Sequence, residues 1–170
     1  MTALEETGFA AEQLTLEVTE GVLVRDVDAV VAQLEALRAL GIRIAIDDFG
    51  TGFSGLSYLR HLPADIIKID RSFVSDLPTG RSATTLITSI VELARTLGLD
   101  VVAEGVETED QRQALRELDC AQAQGYLFAR PEPADRCGSS LPGSIAGLTA
   151  RIPAPAGVPA AERLDGAVIG

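Results

Sequence analysis

Short apolar runs alternate with amphipathic stretches from Leu14 to Phe128, and this alternation limits what the chain can fold into. LTLEVTE (Leu14–Glu20), IRIAIDD (Ile42–Asp48), DIIKID (Asp65–Asp70), DVVAEGVE (Asp100–Glu107) and AQGYLF (Ala123–Phe128) have the length and branched side chains of strands. Between the first two, Val27, Val30, Val31, Leu34, Leu37 and Leu40 keep helical spacing, and Gly41 follows as a stop. A second helix is predicted from Ser82, with Leu86, Ile87, Ile90, Val91, Ala94 and Leu97 on one face and Gly98 past its end. A short helical patch is expected near Leu56 to His61, and Thr108 with Gln111 forms a capping-box pattern for a further helix. Strands recurring roughly every 30 residues, with helices between, predict βα units around a parallel sheet. The expected fold is α/β, either closed toward a barrel or open and doubly wound.

The polar residues fall in one place on that scheme. The first strand ends with Glu17 and Glu20, the second with Asp47 and Asp48, and the third carries Lys68 and Asp70. The fourth ends with Glu104 and Glu107, and the fifth opens with Gln124. All these positions lie at the carboxyl ends of parallel strands, the edge where such folds gather their chemistry. Several carboxylates facing one cavity repel one another unless cations lie between them. Oxygen donors suit Mg²⁺ or Mn²⁺, and no Cys/His cluster points to zinc. Adjacent Asp47 and Asp48 can serve two ions roughly 3.5–4 Å apart, the arrangement of two-metal phosphoester hydrolysis. Gly50 and Gly52 let the following loop turn sharply beside them.

Charge narrows the choice of ligand. The 170-residue chain has net charge −11, from 14 basic and 25 acidic residues. It therefore offers no electrostatic footprint for duplex nucleic acid or an anionic membrane, and a phosphorylated ligand needs divalent cations to meet it. Thirteen of the basic residues are arginine, and the single lysine, Lys68, sits inside an apolar strand. A compact ammonium there can approach a phosphate or a water. No run of 18 apolar residues or secretory pattern appears in the sequence, so a cytoplasmic location is expected. Cys120 and Cys137 are read as ordinary reduced thiols.

Five motifs in order, LTLEVTE, AIDDFGTGFSGLSYL, IIKIDRSFV, VVAEGVET and AQGYLFARP, resemble the EAL domain of bacterial cyclic di-GMP phosphodiesterases over Leu14 to Pro131. The resemblance implies a partial TIM-type (β/α) barrel of about five βα units. It also implies hydrolysis of cyclic di-GMP to linear pGpG by two Mg²⁺ or Mn²⁺ ions. On that basis Glu17 and Asp47 hold one metal, Asp47 and Asp48 the second, and Glu104 is a metal ligand or general base. Lys68 holds the attacking water or the phosphate, Glu20 anchors the glycine loop, and Glu107 and Gln124 complete the inner shells. Asp70, Gly50 and Gly52 are supporting residues, and a homodimer through the loop after Asp48 is expected.

The resemblance has departures. A barrel of this kind runs to roughly 250 residues, and the family's signature Glu-Ala-Leu strand, with its glutamate ligand, ligand-gripping arginine and later asparagine, has no counterpart before Glu17. Glu35-Ala36-Leu37-Arg38 spells the signature but lies mid-helix, with Leu37 on the apolar stripe. Gly21 and Gly55 stand where serine is usual. The expectation is an amino-terminally truncated domain over residues 1–136 and a flexible Gly/Ala/Pro-rich tail over 137–170. Five strands cannot close an eight-stranded barrel, which leaves two alternatives to catalysis: an inactive remnant that binds or dimerises, or a receiver-like open sheet. His61 is assigned to the surface or a helix end, Phe49 and Phe53 to packing around the loop, and Gly8 to the end of a leading helix.

Overall fold

The computed structural model describes residues 2–19, 27–52, 59–131 and 150–151. Helix α1 (Thr2–Thr7) stops at Gly8, whose φ of 65° is the left-handed conformation expected of a terminating glycine. A 3₁₀ turn (Ala11–Gln13) leads into β1 (Thr15–Thr19), then α2 (Val27–Arg38) and β2 (Arg43–Phe49). After these come β3 (Ile66–Ile69), α3 (Arg71–Ser75), α4 (Arg81–Leu97), β4 (Asp100–Ala103), α5 (Glu109–Glu117) and β5 (Gln122–Ala123). Strands β1 to β5 lie in sequence order and pair in parallel. The α/β architecture with a parallel five-strand sheet is that of a partial barrel, as the sequence implied. A sixth short strand, β6 (Ala150–Arg151), runs antiparallel to β5, so two residues within the predicted tail join the sheet.

Strand pleating divides the sheet into two chemically different faces. Ile44, Ile46, Ile67, Ile69 and Ala103 point to the helix-covered side and are buried in the main core. Helix α4 supplies Ile87, Ile90, Val91 and Ala94 to it, on the face the heptad-like spacing predicted. Full burial of each such isoleucine contributes about 2–3 kcal/mol. On the opposite face the described residues form a small apolar cluster, Ala45, Ile66 and Val102. Two residues further along those same strands stand Asp47, Lys68 and Glu104. The register pairs Ala45 with Ile66 and Lys68 with Val102, so the polar residues sit just above an apolar floor.

Helix ends follow the sequence signals. Thr108 and Gln111 form the reciprocal capping box, and Gly98 closes α4 in the left-handed region, its N–H donating to Ala94 and Arg95 carbonyls. Glu35, Ala36 and Arg38 are exposed on α2 while Leu37 is half-buried, so the signature-like tetrapeptide is an ordinary helix surface. His61 is exposed and Phe49 is buried in the core, as expected. Besides β6, two elements differ from the sequence reading. Helix α3 was unforeseen, being only five residues and nucleated by the Asp70 side chain rather than by periodicity. The fifth strand is two residues long, because Gly125 brings the chain against Val106 and residues 125–128 turn instead of extending.

Candidate active site

The two adjacent aspartates reach one rim because β2 carries an extra residue. Ile46 pairs with Ile67 and Phe49 with Ile69, so three steps on β2 oppose two on β3. In a regular strand Asp47 and Asp48 would point to opposite faces. Asp48 instead adopts φ 53°, a left-handed conformation that aspartate tolerates better than most residues. Its carbonyl accepts from both the backbone N–H and the hydroxyl of Thr51, which holds the turn. The outcome is a triad: oxygens of Asp47, Asp48 and Glu104 lie within 4.8 Å of one another.

Lys68 stands at the centre of a second set of contacts. Its Nζ touches Glu17 Oε1, approaches Glu104 Oε1 at 2.7 Å and Asp47 Oδ1 at 3.2 Å, and the side chain is 4% exposed. Burial pulls the ammonium pKa down, but hydrogen bonds and charge from Glu104 and Glu17 outweigh it, so the net shift is upward and Lys68 stays charged. Burial also raises the Glu104 carboxyl, with Lys68 offsetting part of that and Asp47 and Glu17 adding to it. Gln124 Nε2 donates to Glu104 Oε1 at 2.6 Å, the same oxygen that faces Lys68. Glu104 Oε2 is thereby left for a metal or a water.

The donor set fits a hard divalent cation. All three converging groups are carboxylates, and Asp47 Oδ1 is buried without a hydrogen bond from any described residue. Its 3.2 Å contact with Lys68 brings opposite charges together but lacks hydrogen-bond alignment. A buried, orphaned carboxylate oxygen is costly unless a cation completes it. Glu17 is not among the three converging groups, and its carboxylate contacts Lys68.

Other candidates lie elsewhere. Asp70 caps α3, accepting from Ser72 N–H at 3.0 Å and the Ser72 hydroxyl at 2.5 Å. Slight burial raises its pKa, but these bonds and the Arg71 charge win, and the net shift is downward. Glu107 is exposed, and its backbone N–H, not its carboxylate, joins the Gln111 cap. Gly50 has φ 96° and faces Phe73, which a side chain there would crowd at 3.1 Å. Glu20, Gly21, Phe53, Gly55 and Cys137 lie outside the described residues, as does the first half of the predicted helical patch at 56–61.

Sequence reasoning passed over two glycines that set the rim. A Cβ on Gly105 would lie 2.5 Å from Arg71 Cβ, and one on Gly125 would lie 2.3 Å from Val106 N and O. Each follows directly on a site residue, Glu104 or Gln124, and that adjacency was the available signal.

A sheet of successive parallel strands presents acids and one buried lysine at a common rim of an α/β partial barrel, and three of those carboxylates form a group that could hold a metal ion. Residues 1–131 match the EAL domain family, and the chain belongs to it. It is 51% identical over 131 residues to the cyclic di-GMP phosphodiesterase NbdA of Pseudomonas aeruginosa, covering 77% of this chain and 17% of that protein. The bifunctional diguanylate cyclase/cyclic di-GMP phosphodiesterase MucR of the same organism is 47% identical, over 82% of this chain and 20% of its own length. The chain thus spans about a fifth or less of these curated relatives. Among solved structures, the MucR phosphodiesterase in complex with c-di-GMP superposes with TM-score 0.75 at 47% identity, covering 79% of this chain and 55% of that one. The EAL domain of Mycobacterium smegmatis DcpA gives TM-score 0.77 at 39% identity, covering 81% and 62%. A manganese and c-di-GMP complex of Klebsiella pneumoniae BlrP1 gives 0.72 at 38%, covering 76% and 33%.

Proposed function

We propose that this chain carries metal-binding and catalytic residues for the hydrolysis of cyclic di-GMP to linear pGpG, with Mg²⁺ or Mn²⁺ held by Asp47, Asp48 and Glu104. The observation that carries the reading is the Asp47–Asp48–Glu104 triad with its orphaned buried oxygen beside a charged lysine. Names and ligands of the relatives support it: a cyclic di-GMP phosphodiesterase and a manganese/c-di-GMP complex.

When bound, a divalent cation supplies Lewis acidity toward a phosphoryl oxygen and lowers the pKa of water. The chain's own residues do the rest. Asp47 and Asp48 fix the cation position through the bulge on β2. Lys68 holds Glu17, Asp47 and Glu104 together and can donate to a phosphate oxygen or orient a water. Burial raises the proton affinity of Glu104, and its Oε2 would serve either as the metal ligand or as the acceptor of a proton from water, while Gln124 and Lys68 fix Oε1. Glu17 stays on Lys68 as its counter-charge. On this reading the domain works in the cytoplasm, and it pairs with a second copy through the loop after Asp48.

Calorimetric titration with Mn²⁺ tests the site, and chromatography of cyclic di-GMP incubations tests the chemistry. Wild type should bind Mn²⁺ and release pGpG, and Asp47→Asn should lose both. Absence of Mn²⁺ binding in the wild type removes the reading outright; binding without turnover limits the chain to a receptor. Sedimentation with and without cyclic di-GMP tests the pairing, and a monomer in both excludes it.

A further inference from the structure

A second polar cleft lies at the opposite end of the strands. It encloses about 370 Å³ at the amino-terminal ends of β2, β3 and β4, well separated from Asp47 and Glu104 by the length of those strands. Arg38, Arg43 and Arg60 line it together with Asp65 and Asp100. We propose that this cleft binds a small organic anion, through a phosphate or carboxylate group held by the three arginines.

Charge accounting supports the assignment. Arg38 Nη2 bonds Asp65 Oδ1 at 2.8 Å, and Arg43 Nη2 bonds Asp100 Oδ2 at 2.7 Å. Asp65 Oδ2 accepts from the Ile44 N–H at 2.9 Å, so both Asp65 oxygens are engaged by Arg38 and the β2 backbone. Arg60 is exposed and makes no ion pair among the described residues. Three guanidiniums against two carboxylates leave one positive charge in a chain of net −11. Each guanidinium carries five N–H donors, and the two ion pairs occupy one nitrogen on each arginine.

Shape fixes the class of ligand. Planar arginine forks match oxyanions in pairs of parallel hydrogen bonds. Leucines 59, 62, 97 and 99 give the same cleft an apolar lining that suits a carbon skeleton. Its volume falls within the range of small-molecule pockets, about 300–1,000 Å³. A concave cleft of this size excludes a duplex or a membrane surface, and the acidic remainder of the chain repels both.

Heteronuclear NMR of the full chain with phenyl phosphate, 3-phenylpropionate and inorganic phosphate tests the site. Phenyl phosphate or phenylpropionate should shift amides of Leu62, Gly98 and Asp100, and the stronger of the two names the headgroup. Inorganic phosphate should bind the same amides more weakly, lacking the apolar part. Arg60→Ala, an exposed position whose loss leaves the fold intact, should weaken binding about tenfold. Arg38→Gln serves as a second variant and should weaken it similarly. Shifts confined to the Asp47–Glu104 rim, undiminished binding in both variants, or no shifts at about 10 mM probe, far weaker than a working site requires, each overturn the proposal.

Discussion

Gln124, directly after β5, and Lys68, on β3, both spend a hydrogen bond on the same carboxylate oxygen, Oε1 of Glu104, from either side of β4. The side chain is therefore oriented by two strands that flank its own, and its second oxygen is presented to the rim. Orienting partners of this kind are typically worth ten- to a hundredfold in metal affinity. Gln124→Ala should accordingly weaken Mn²⁺ binding by about 10–100-fold, measured by calorimetry. Stability should fall by only about 1 kcal/mol, since the lost bond is half-buried and water can replace it. A fall in melting temperature that accounts for the whole binding loss would show Gln124 to be structural instead.

Lys68 is a buried charge neutralised by three carboxylates that are 17–25% exposed. Lys68→Met keeps the stem and removes the charge, leaving Glu17, Asp47 and Glu104 facing one another. The expected cost is about 2–4 kcal/mol, near the lower end for broken buried pairs because the carboxylates are partly wet. Mn²⁺ should restore part of it, so the metal-induced rise in melting temperature should be larger in the variant than in the wild type. An equal rise in both proteins would mean that the lysine and the metal do not share those carboxylates.

Much of the architecture was legible because each strand is short, apolar and followed by a helix with recognisable ends. Gly8 and Gly98 adopt left-handed conformations where a stop was predicted, and the Thr108–Gln111 capping box forms as its spacing implied. The triad was legible only in part. The sequence shows Asp47 beside Asp48, but alternation along a strand would separate them, and the bulge that unites them depends on pairing with β3. Asp70 carries a local role that the strand pattern did not show. Its place at the end of an apolar strand suggested the site, yet Ser72 two residues on was the stronger local partner and made it a helix cap. Strand β5 was overextended because YLF reads as strand, while the neighbouring Gly125 answers to a contact with Val106 that no local pattern reveals.

That contact separates two glycines with different reasons for being glycine. Gly98 has φ 73° with open space around the missing side chain, so Gly98→Ala should cost about 1 kcal/mol from backbone strain alone. At Gly125 a methyl group would lie 2.3 Å from the Val106 backbone, where Val106 N–H donates to Gln124 O and Val106 O accepts from Leu127. Gly125→Ala must push apart the segments that bring Gln124 to Glu104. It should cost about 3 kcal/mol or more and weaken Mn²⁺ binding as well, whereas Gly98→Ala should leave binding unchanged. Chemical denaturation and calorimetry on the two variants make the comparison, and equal losses at both sites would remove the role assigned to the close approach.

Cys120 gives the fold a pH-dependent contribution remote from the carboxylates. Burial lifts its thiol from an ordinary value near 9 to about 11, only partly countered by hydrogen bonding with the Gln122 and Ala103 backbone. Well below pH 9 the thiol is neutral whether the chain is folded or not, and its burial adds fully to stability. As pH rises from about 9 through about 11, the unfolded chain loses the proton first, so the native state loses about 2–3 kcal/mol of relative stability. Denaturant titrations at pH 8 and pH 10.5 should show this decline in a Cys137→Ser background and lack it when Cys120→Ala is added. In the same background Cys120 should resist alkylation at pH 8 until denaturant is present. Rapid native alkylation, or an identical pH dependence with and without Cys120, would contradict the buried, proton-holding thiol.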